Sequence, residues 1–324
     1  MSILAAKRII LLTAVALYTI GSASAQDFPS KPITWVVPSS AGGGTTAVAQ
    51  VIVPAMEKEL GQTIVIDYRP GGGTVVGTQS VAKAPADGYT LLQTTTSFAI
   101  NNALIAKLPY RVPEDFTPIT LLVDAPLALI VNANAGVDSV KALAEKAKMA
   151  PGTVTYGSVG IGSSHQLLAA HFANSAGAEM RHIPYQGGSQ LAAAVASGEV
   201  TFSFIDVGAV QELVAGGLVK SLALSAPARL ASLPDLPTME EAGFPGFNRT
   251  TWQGLVAPKG LPDDVLARLS EAITKVLKTE SVAKALSNTG KPPRLMTPEG
   301  YQEFLVTDIR NWKDYAAAAG ITPK

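Results

Sequence analysis

The chain reads as an α/β protein of two lobes, each an α/β sheet, joined by a two-stranded hinge. Three observations predict this. Short β-branched runs alternate with longer segments of helical period, the alternation comes in two successive series, and from Pro258 onward only helical periodicity remains. A chain of 324 residues also exceeds the comfortable size of one hydrophobic core.

The first series places a strand at Ile33 to Val37, a helix at Thr46 to Leu60, a strand at Thr63 to Tyr68, a helix near Val75 to Ala84 and a strand at Thr90 to Thr95. An extended stretch follows through Ile119 to Leu122 and Leu127 to Val131. The second series has helices at Ser139 to Met149, Ser164 to Ala176 and Ser189 to Ala196. They alternate with strands at Val154 to Ser158, Met180 to Tyr185 and Thr201 to Ile205. Three helices close the chain, near Pro262 to Leu277, Ser281 to Asn288 and Pro298 to Ala319. Having no sheet of their own, they are expected to pack back onto the first lobe. Lobe 1 is then residues 26–126 with 251–324, lobe 2 is residues 127–250, and the double crossing forms a hinge of the kind that closes on a ligand.

Residues 1–25 have the order of an export signal: Lys7 and Arg8, an apolar run from Ile9 to Ile20, then Ala23-Ser24-Ala25. The run is shorter than the roughly 20 residues a bilayer span needs. Cleavage after Ala25 and a periplasmic, exported protein are expected.

Hydrophobic residues make up 47% and charged residues 15% of the chain, which excludes disorder and coiled coil. Twenty-five basic residues balance 25 acidic ones, so no net positive field draws in phosphate backbones, and nucleic acid is not expected as a partner. Cysteine is absent, which removes disulfides, thiolate nucleophiles and Cys-ligated metals. The three histidines, His165, His171 and His182, form no HExxH, so neither a metal nor a cofactor is expected.

In open sheets ligands sit beyond the carboxyl ends of the strands, which singles out the loops there. After the first strand, Ser39, Ser40, Ala41, Gly42 and Gly43 lead to Thr45 and Thr46, either an ordinary glycine-rich turn or a place where backbone N–H groups approach a ligand. It lacks the lysine of a P-loop. Thr94, Thr95, Thr96 and Ser97 set four hydroxyls at a strand end, with Phe98 able to wall an apolar ligand body; solvated loop is the other reading. Ser158 through Gly162, Ser163 and His165 run into a helix whose first N–H groups suit a carboxylate, a cap and an anion site being compatible there. Gln186 and Gly187 repeat the arrangement, and Asp206 either caps the next helix or touches ligand. The Gly- and hydroxyl-rich loops contain no Lys or Arg, so an anion there is held by neutral dipoles and water, which favours reversible binding. Ser163, His165 and Asp206 have the residue types of a hydrolase triad but not the GxSxG elbow.

Several stretches, in order, resemble one family: Pro32 to Pro38 with Ala41 to Thr45, Asp67-Tyr68-Arg69-Pro70-Gly71, Pro85 to Leu92, Leu108-Pro109-Tyr110, Tyr156 to His165, Ile183 to Gly187, Leu233 to Thr238 and Glu241 to Gly246. The set is similar to the substrate-binding proteins of tripartite tricarboxylate transporters, the Bug family of periplasmic receptors, over essentially the whole chain beyond residue 25. The resemblance implies a type II periplasmic-binding-protein fold, no catalysis, capture of a small organic carboxylate, and delivery to inner-membrane transporter subunits by a monomer. Carried across, the ligand loops are Ser39 to Gly43, Thr94 to Phe98, Ser158 to His165, Gln186 to Gly187 and Asp206, with water bridging the ligand to the first lobe and Arg69 either a contact or a turn-stabilising pair. The family's abundance in some genomes keeps a sensor kinase as an alternative partner; an exported Ser hydrolase is the remaining alternative. Where relatives commonly have Asp, this chain has Thr46, which implies a dicarboxylate or aromatic carboxylate without an ammonium group.

Overall fold

A computed structural model of the protein describes residues 28–247 and 249–322; the expected export segment and its cleavage after Ala25 lie outside them. Among the described residues, ten strands form two five-stranded sheets. The first holds β1 (Ile33–Val37), β2 (Ile64–Tyr68), β3 (Thr90–Thr95), β4 (Phe116–Ala125) and β10 (Thr251–Pro258), in the order β2-β1-β3-β10-β4. The second holds β5 (Leu127–Asn132), β6 (Thr155–Ser158), β7 (Arg181–Pro184), β8 (Phe202–Asp206) and β9 (Val219–Ser225), in the order β7-β6-β8-β5-β9.

The two sheets share one plan. Three parallel strands lie side by side, and the fourth place is taken by a strand that has just crossed from the other lobe and runs antiparallel: β10 in the first sheet and β5 in the second. Each sheet is therefore mixed. The chain crosses at Pro126, between β4 and β5, and returns between β9 and β10. Thr251 faces Ala125 in the ladder, and its hydroxyl donates to the Ala125 carbonyl, tying the two crossings together.

Helices α1 (Gly44–Leu60), α2 (Val75–Ala82) and α3 (Thr96–Leu104) belong to the first series, and α4 (Val140–Met149), α5 (Ser164–Ala176), α6 (Gly188–Ser197) and α7 (Val207–Ala215) to the second. The last three are α8 (Asp263–Lys278), α9 (Glu280–Asn288) and α10 (Pro298–Ala318). The near-continuous apolar run of β1 follows from cover on both faces. One face packs against α1, α8 and α9 through Trp35, Ile52, Leu269, Ile273 and Leu286; on the other face of the sheet, Leu92 packs with Phe98, Tyr301 and Leu305. Val265, Leu269, Ala272, Ile273 and Val276 set the buried stripe of α8, whose ends carry the charges a helix dipole favours: Asp263 and Asp264 first, Lys275 and Lys278 last.

Beside the hinge, α10 clamps β10 through one buried carboxylate. Asp308 Oδ2 accepts from the indole N–H of Trp252 at 2.8 Å and of Trp312 at 3.0 Å. Burial holds this carboxyl above its ordinary pKa, and the two indole donors only partly offset that. Asp308→Ala leaves both donors unpaired and is expected to cost about 2–4 kcal/mol in urea unfolding. Asp308→Asn, which keeps an acceptor without the buried charge, is expected to cost less.

Candidate ligand site

Strand pairing alone brings the two lobes' loops together. Because β10 runs antiparallel to β3, its first residues lie beside the end of β3, with Gln253 opposite Thr95. Because β5 runs antiparallel to β8, its first residue, Leu127, lies opposite Asp206. Both crossings thus leave from the carboxyl edges of the parallel strands, and those two edges face each other across the hinge. At these edges begin α1, α3, α5, α6 and α7, directly after β1, β3, β6, β7 and β8.

The electrostatics of most of these helix starts favour an anion. None of the seven helices α1 to α7 carries an acid in its first turn, whereas α8, α9 and α10 carry Asp263, Asp264, Glu280 and Glu299 there; of the five at these edges only α7 has an acidic cap, Asp206. Helices α1, α3 and α6 also lack a side-chain cap, so their first N–H groups retain donor capacity and positive dipole ends. A Cβ added at Gly42, Gly43, Gly162, Gly187 or Gly188 meets nothing within 4 Å, so these backbones border open space. Two buried polar atoms in the loops have no protein partner: Ser39 Oγ in the first lobe and His165 Nδ1 in the second.

Buried amides hold the first loop. Gln93 Oε1 accepts from Trp35 Nε1 at 2.8 Å, while its Nε2 donates to the Thr45 carbonyl at 3.0 Å and to Gln253 Oε1 at 2.7 Å. One side chain so fixes the start of α1 against the hinge strand. Thr46 is buried, and its hydroxyl accepts from the Gly42 N–H at 3.2 Å, folding the loop over the helix start.

In the second lobe a single chain of hydrogen bonds shapes the loop before α5. Gly162 N–H donates to Gln166 Oε1 at 2.7 Å, Gln166 Nε2 lies 3.4 Å from His182 Nδ1, and His182 Nε2 lies 2.7 Å from Ser158 Oγ. Ser158 Oγ in turn donates to the Gly160 carbonyl at 3.0 Å. These directions are consistent with a neutral His182 protonated on Nε2, and burial lowers its pKa accordingly. Burial likewise pushes His165 down to about 4, against the opposing pull of Asp206.

The loop residues singled out from sequence take different roles. Ser40, Ala41, Gly42 and Gln186 are exposed, and Gly43, Ser97, Gly162 and Gly187 are partly so. Ser163 caps α5, its Oγ accepting from Gln166 N and donating to the Gly160 carbonyl. Asp206 caps α7 through Gly208 N. Phe98 does not wall a ligand: it is 1% exposed and packs on Phe116 and Tyr110, because Thr96 to Leu104 is helix rather than loop. The Thr94 hydroxyl turns to Tyr301 at 2.7 Å, and Thr96 Oγ1 accepts from Trp252 N at 2.9 Å, so both brace the hinge strand instead of facing a ligand. Ser158 is fully buried within its own loop, Tyr156 and Trp252 are core residues, and Arg69 pairs with Asp67.

Sequence reading missed Gln93, Gln253, Gln166, His182 and Lys291. The first three are polar residues inside otherwise apolar or helical runs, a signal that was available; for Lys291 there was none. A depression of about 790 Å³ lies elsewhere, lined by Ile119, Ser270, Thr274, Lys278 and Leu295, and contains none of these residues. Among the described residues no three metal-ligating side chains come together.

Gln93→Ala unpairs the Trp35 indole and the Thr45 carbonyl, and is expected to destabilise by about 1–3 kcal/mol and to weaken ligand binding through α1. The histidines give a pH dependence of definite sign. Since their folded pKa values lie below the ordinary 6.5, their stabilisation is complete above that value and is lost as pH falls through the lowered ones, about 4 for His165. Unfolding free energy is expected to fall from neutral pH towards acid, less steeply in His165→Asn and His182→Asn.

Comparison with known proteins agrees with this geometry. A family model described as "Tripartite tricarboxylate transporter family receptor" matches residues 48–321. The chain is 33% identical to Protein BugT of Bordetella pertussis, covering 92% of each. R. palustris Rpa4515 with adipate superposes with a TM-score of 0.88 at 31% identity, covering 92% of this chain and 100% of that one. MatC from Rhodopseudomonas palustris with bound malate superposes at 0.82 and 29% identity, covering 89% and 99%. With two mixed sheets facing each other across a hinge, and with relatives this similar over nearly its whole length, the chain belongs to the tripartite tricarboxylate transporter receptor family of solute-binding proteins.

Proposed function

We propose that this chain is a periplasmic receptor that captures a small organic carboxylate, either a di- or tricarboxylate or an aromatic carboxylate, between its lobes and delivers it to inner-membrane transporter subunits. A monomer suffices, since both halves of the site come from one chain. The observation that carries the reading is the convergence of four helix N-termini with neither an acidic cap nor a first-turn acid, three of them without any side-chain cap, on one inter-lobe space. Such donors neutralise a carboxylate without a cation. Similar proteins whose structures hold adipate and malate support the ligand class. Nucleophilic catalysis draws no support: Ser163 Oγ is held as a helix cap, and His165 Nδ1 has no partner from which to take a proton.

Thermal unfolding of the chain from residue 26 onward, against aliphatic di- and tricarboxylates and aromatic carboxylates, tests this. Ligand at a hundred times its Kd adds about 2.7 kcal/mol, a rise of several degrees. A shift confined to one carboxylate group is the expected result; no shift with any of them, on folded protein freed of carried-over ligand, overturns the reading.

A further inference from the structure

Of the turns that lead into α1, α3, α5, α6 and α7, only the one before α7 carries an acidic or basic side chain, Asp206, and the fold brings a lysine to it from the other lobe. Lys291 lies between α9 and α10, where its N–H bonds to the Leu286 carbonyl and the next residues run along β4, with Asp124 N donating to the Pro292 carbonyl. Its Nζ sits 2.6 Å from Asp206 Oδ1, and its side chain is only 2% exposed. Burying an ammonium this deeply is costly unless it is paired and hydrogen-bonded, and here the partner is the carboxylate of the opposite lobe.

The pair adjoins the start of α1. A Cβ on Gly44 would lie 2.8 Å from Asp206 Oδ2 and 3.4 Å from Lys291 Cε, so only glycine permits this approach. Both hydrogen bonds of Asp206 fall on Oδ1, from Gly208 N and from Lys291, leaving Oδ2 turned to Gly44 beside the open backbones of Gly42 and Gly43. A ligand carboxylate received by the uncapped start of α1 therefore brings its α-substituent close to Oδ2. An α-ammonium would find there a charge-assisted acceptor if Asp206 were free, but it finds one already neutralised by Lys291.

We infer that Lys291 is the specificity-determining residue of the site: by pairing with Asp206 across the lobes it withholds that carboxylate from ligand ammonium groups, so the receptor takes carboxylates without an amino group. The inference rests on the carboxylate-receptor reading and supplies a residue for its selectivity. Buried Thr46, at the same helix start, adds no charge to alter this balance.

Matched ligands test it: succinate against aspartate, glutarate against glutamate, and adipate against 2-aminoadipate, by calorimetry at neutral pH. The parent is expected to prefer the member without the amino group in each pair it binds. Lys291→Met is expected to improve the amino member relative to its counterpart by about tenfold to a hundredfold, the range of a hydrogen bond between charged groups. Lys291→Arg is expected to keep the parent's preference, and Lys291→Met with Asp206→Asn to lose the gain. A merely structural lysine would shift both members of a pair together, and that result overturns the inference, as does a parent that binds amino members equally well. If Lys291→Met does not fold, Lys291→Gln, which keeps a donor to Asp206 without the charge, is read by the same criterion: a gain confined to the amino members supports the inference and an equal shift of both members overturns it. A parent that binds none of the six overturns this inference, whereas the carboxylate reading stands or falls by the wider thermal-unfolding screen.

Discussion

The antiparallel insertion of one strand from each crossing into the other lobe's sheet is the constraint on which the rest depends. β10 beside β3 and β5 beside β8 oblige the chain to leave and return at the carboxyl edges of the parallel strands. Had either inserted strand run parallel, the crossing would emerge at the opposite edge and the helix N-termini would point away from the other lobe. The hinge and the facing loop edges, where the ligand site is proposed, are thus two results of one pairing rule. The Trp252–Asp308–Trp312 clamp and the bonds of Thr94 and Thr96 to Tyr301 and Trp252 hold β10 where that rule requires it.

Given that frame, the proposed ligand site is built mostly from backbone. Glycines at 42, 43, 162, 187 and 188 keep side chains out of the space, and unpaired N–H groups supply the positive potential that a lysine or arginine would otherwise provide. Side chains act one layer back. Gln93 fixes the start of α1, and the Gln166–His182–Ser158 chain fixes the loop before α5. In the proposed role, neutral donors leave ligand binding reversible, which suits release. The ionised pair, Asp206 with Lys291, is internally balanced and adds little net field.

Contacts across the lobes flank the hinge on both sides. Near the ion pair, Gln211 Nε2 reaches the Asn288 carbonyl at 3.2 Å; on the other side, the His171 ring lies 4.3 Å from Tyr315 and Asn174 Nδ2 reaches the Ala318 carbonyl at 3.1 Å. The C-terminal helices therefore do more than cover the first sheet. Through α9 and α10 they set the relation of the two lobes, so a segment remote in sequence from every Gly-rich loop shapes the site those loops border.

Much of this was legible in the chain itself. The alternation of β-branched runs with helical period located most strands and helices to within a residue or two, since burial on two faces demands the continuous apolar runs of β1 and β5. Glycines followed by hydroxyls after those runs marked the helix starts, because uncapped or Ser-capped N-termini need those residue types. Local sequence misled at Thr94 to Phe98: four hydroxyls read as loop, yet packing of Phe98 on Phe116 and Tyr110 stabilises a helix there. What only the tertiary structure decided was strand direction and long-range company: that β5 and β10 run antiparallel, that Thr94 faces Tyr301, and that Lys291 meets Asp206 from 85 residues away. Periodicity records which face of an element is buried, but not against what, and a charge's partner is chosen by the fold that brings the two together.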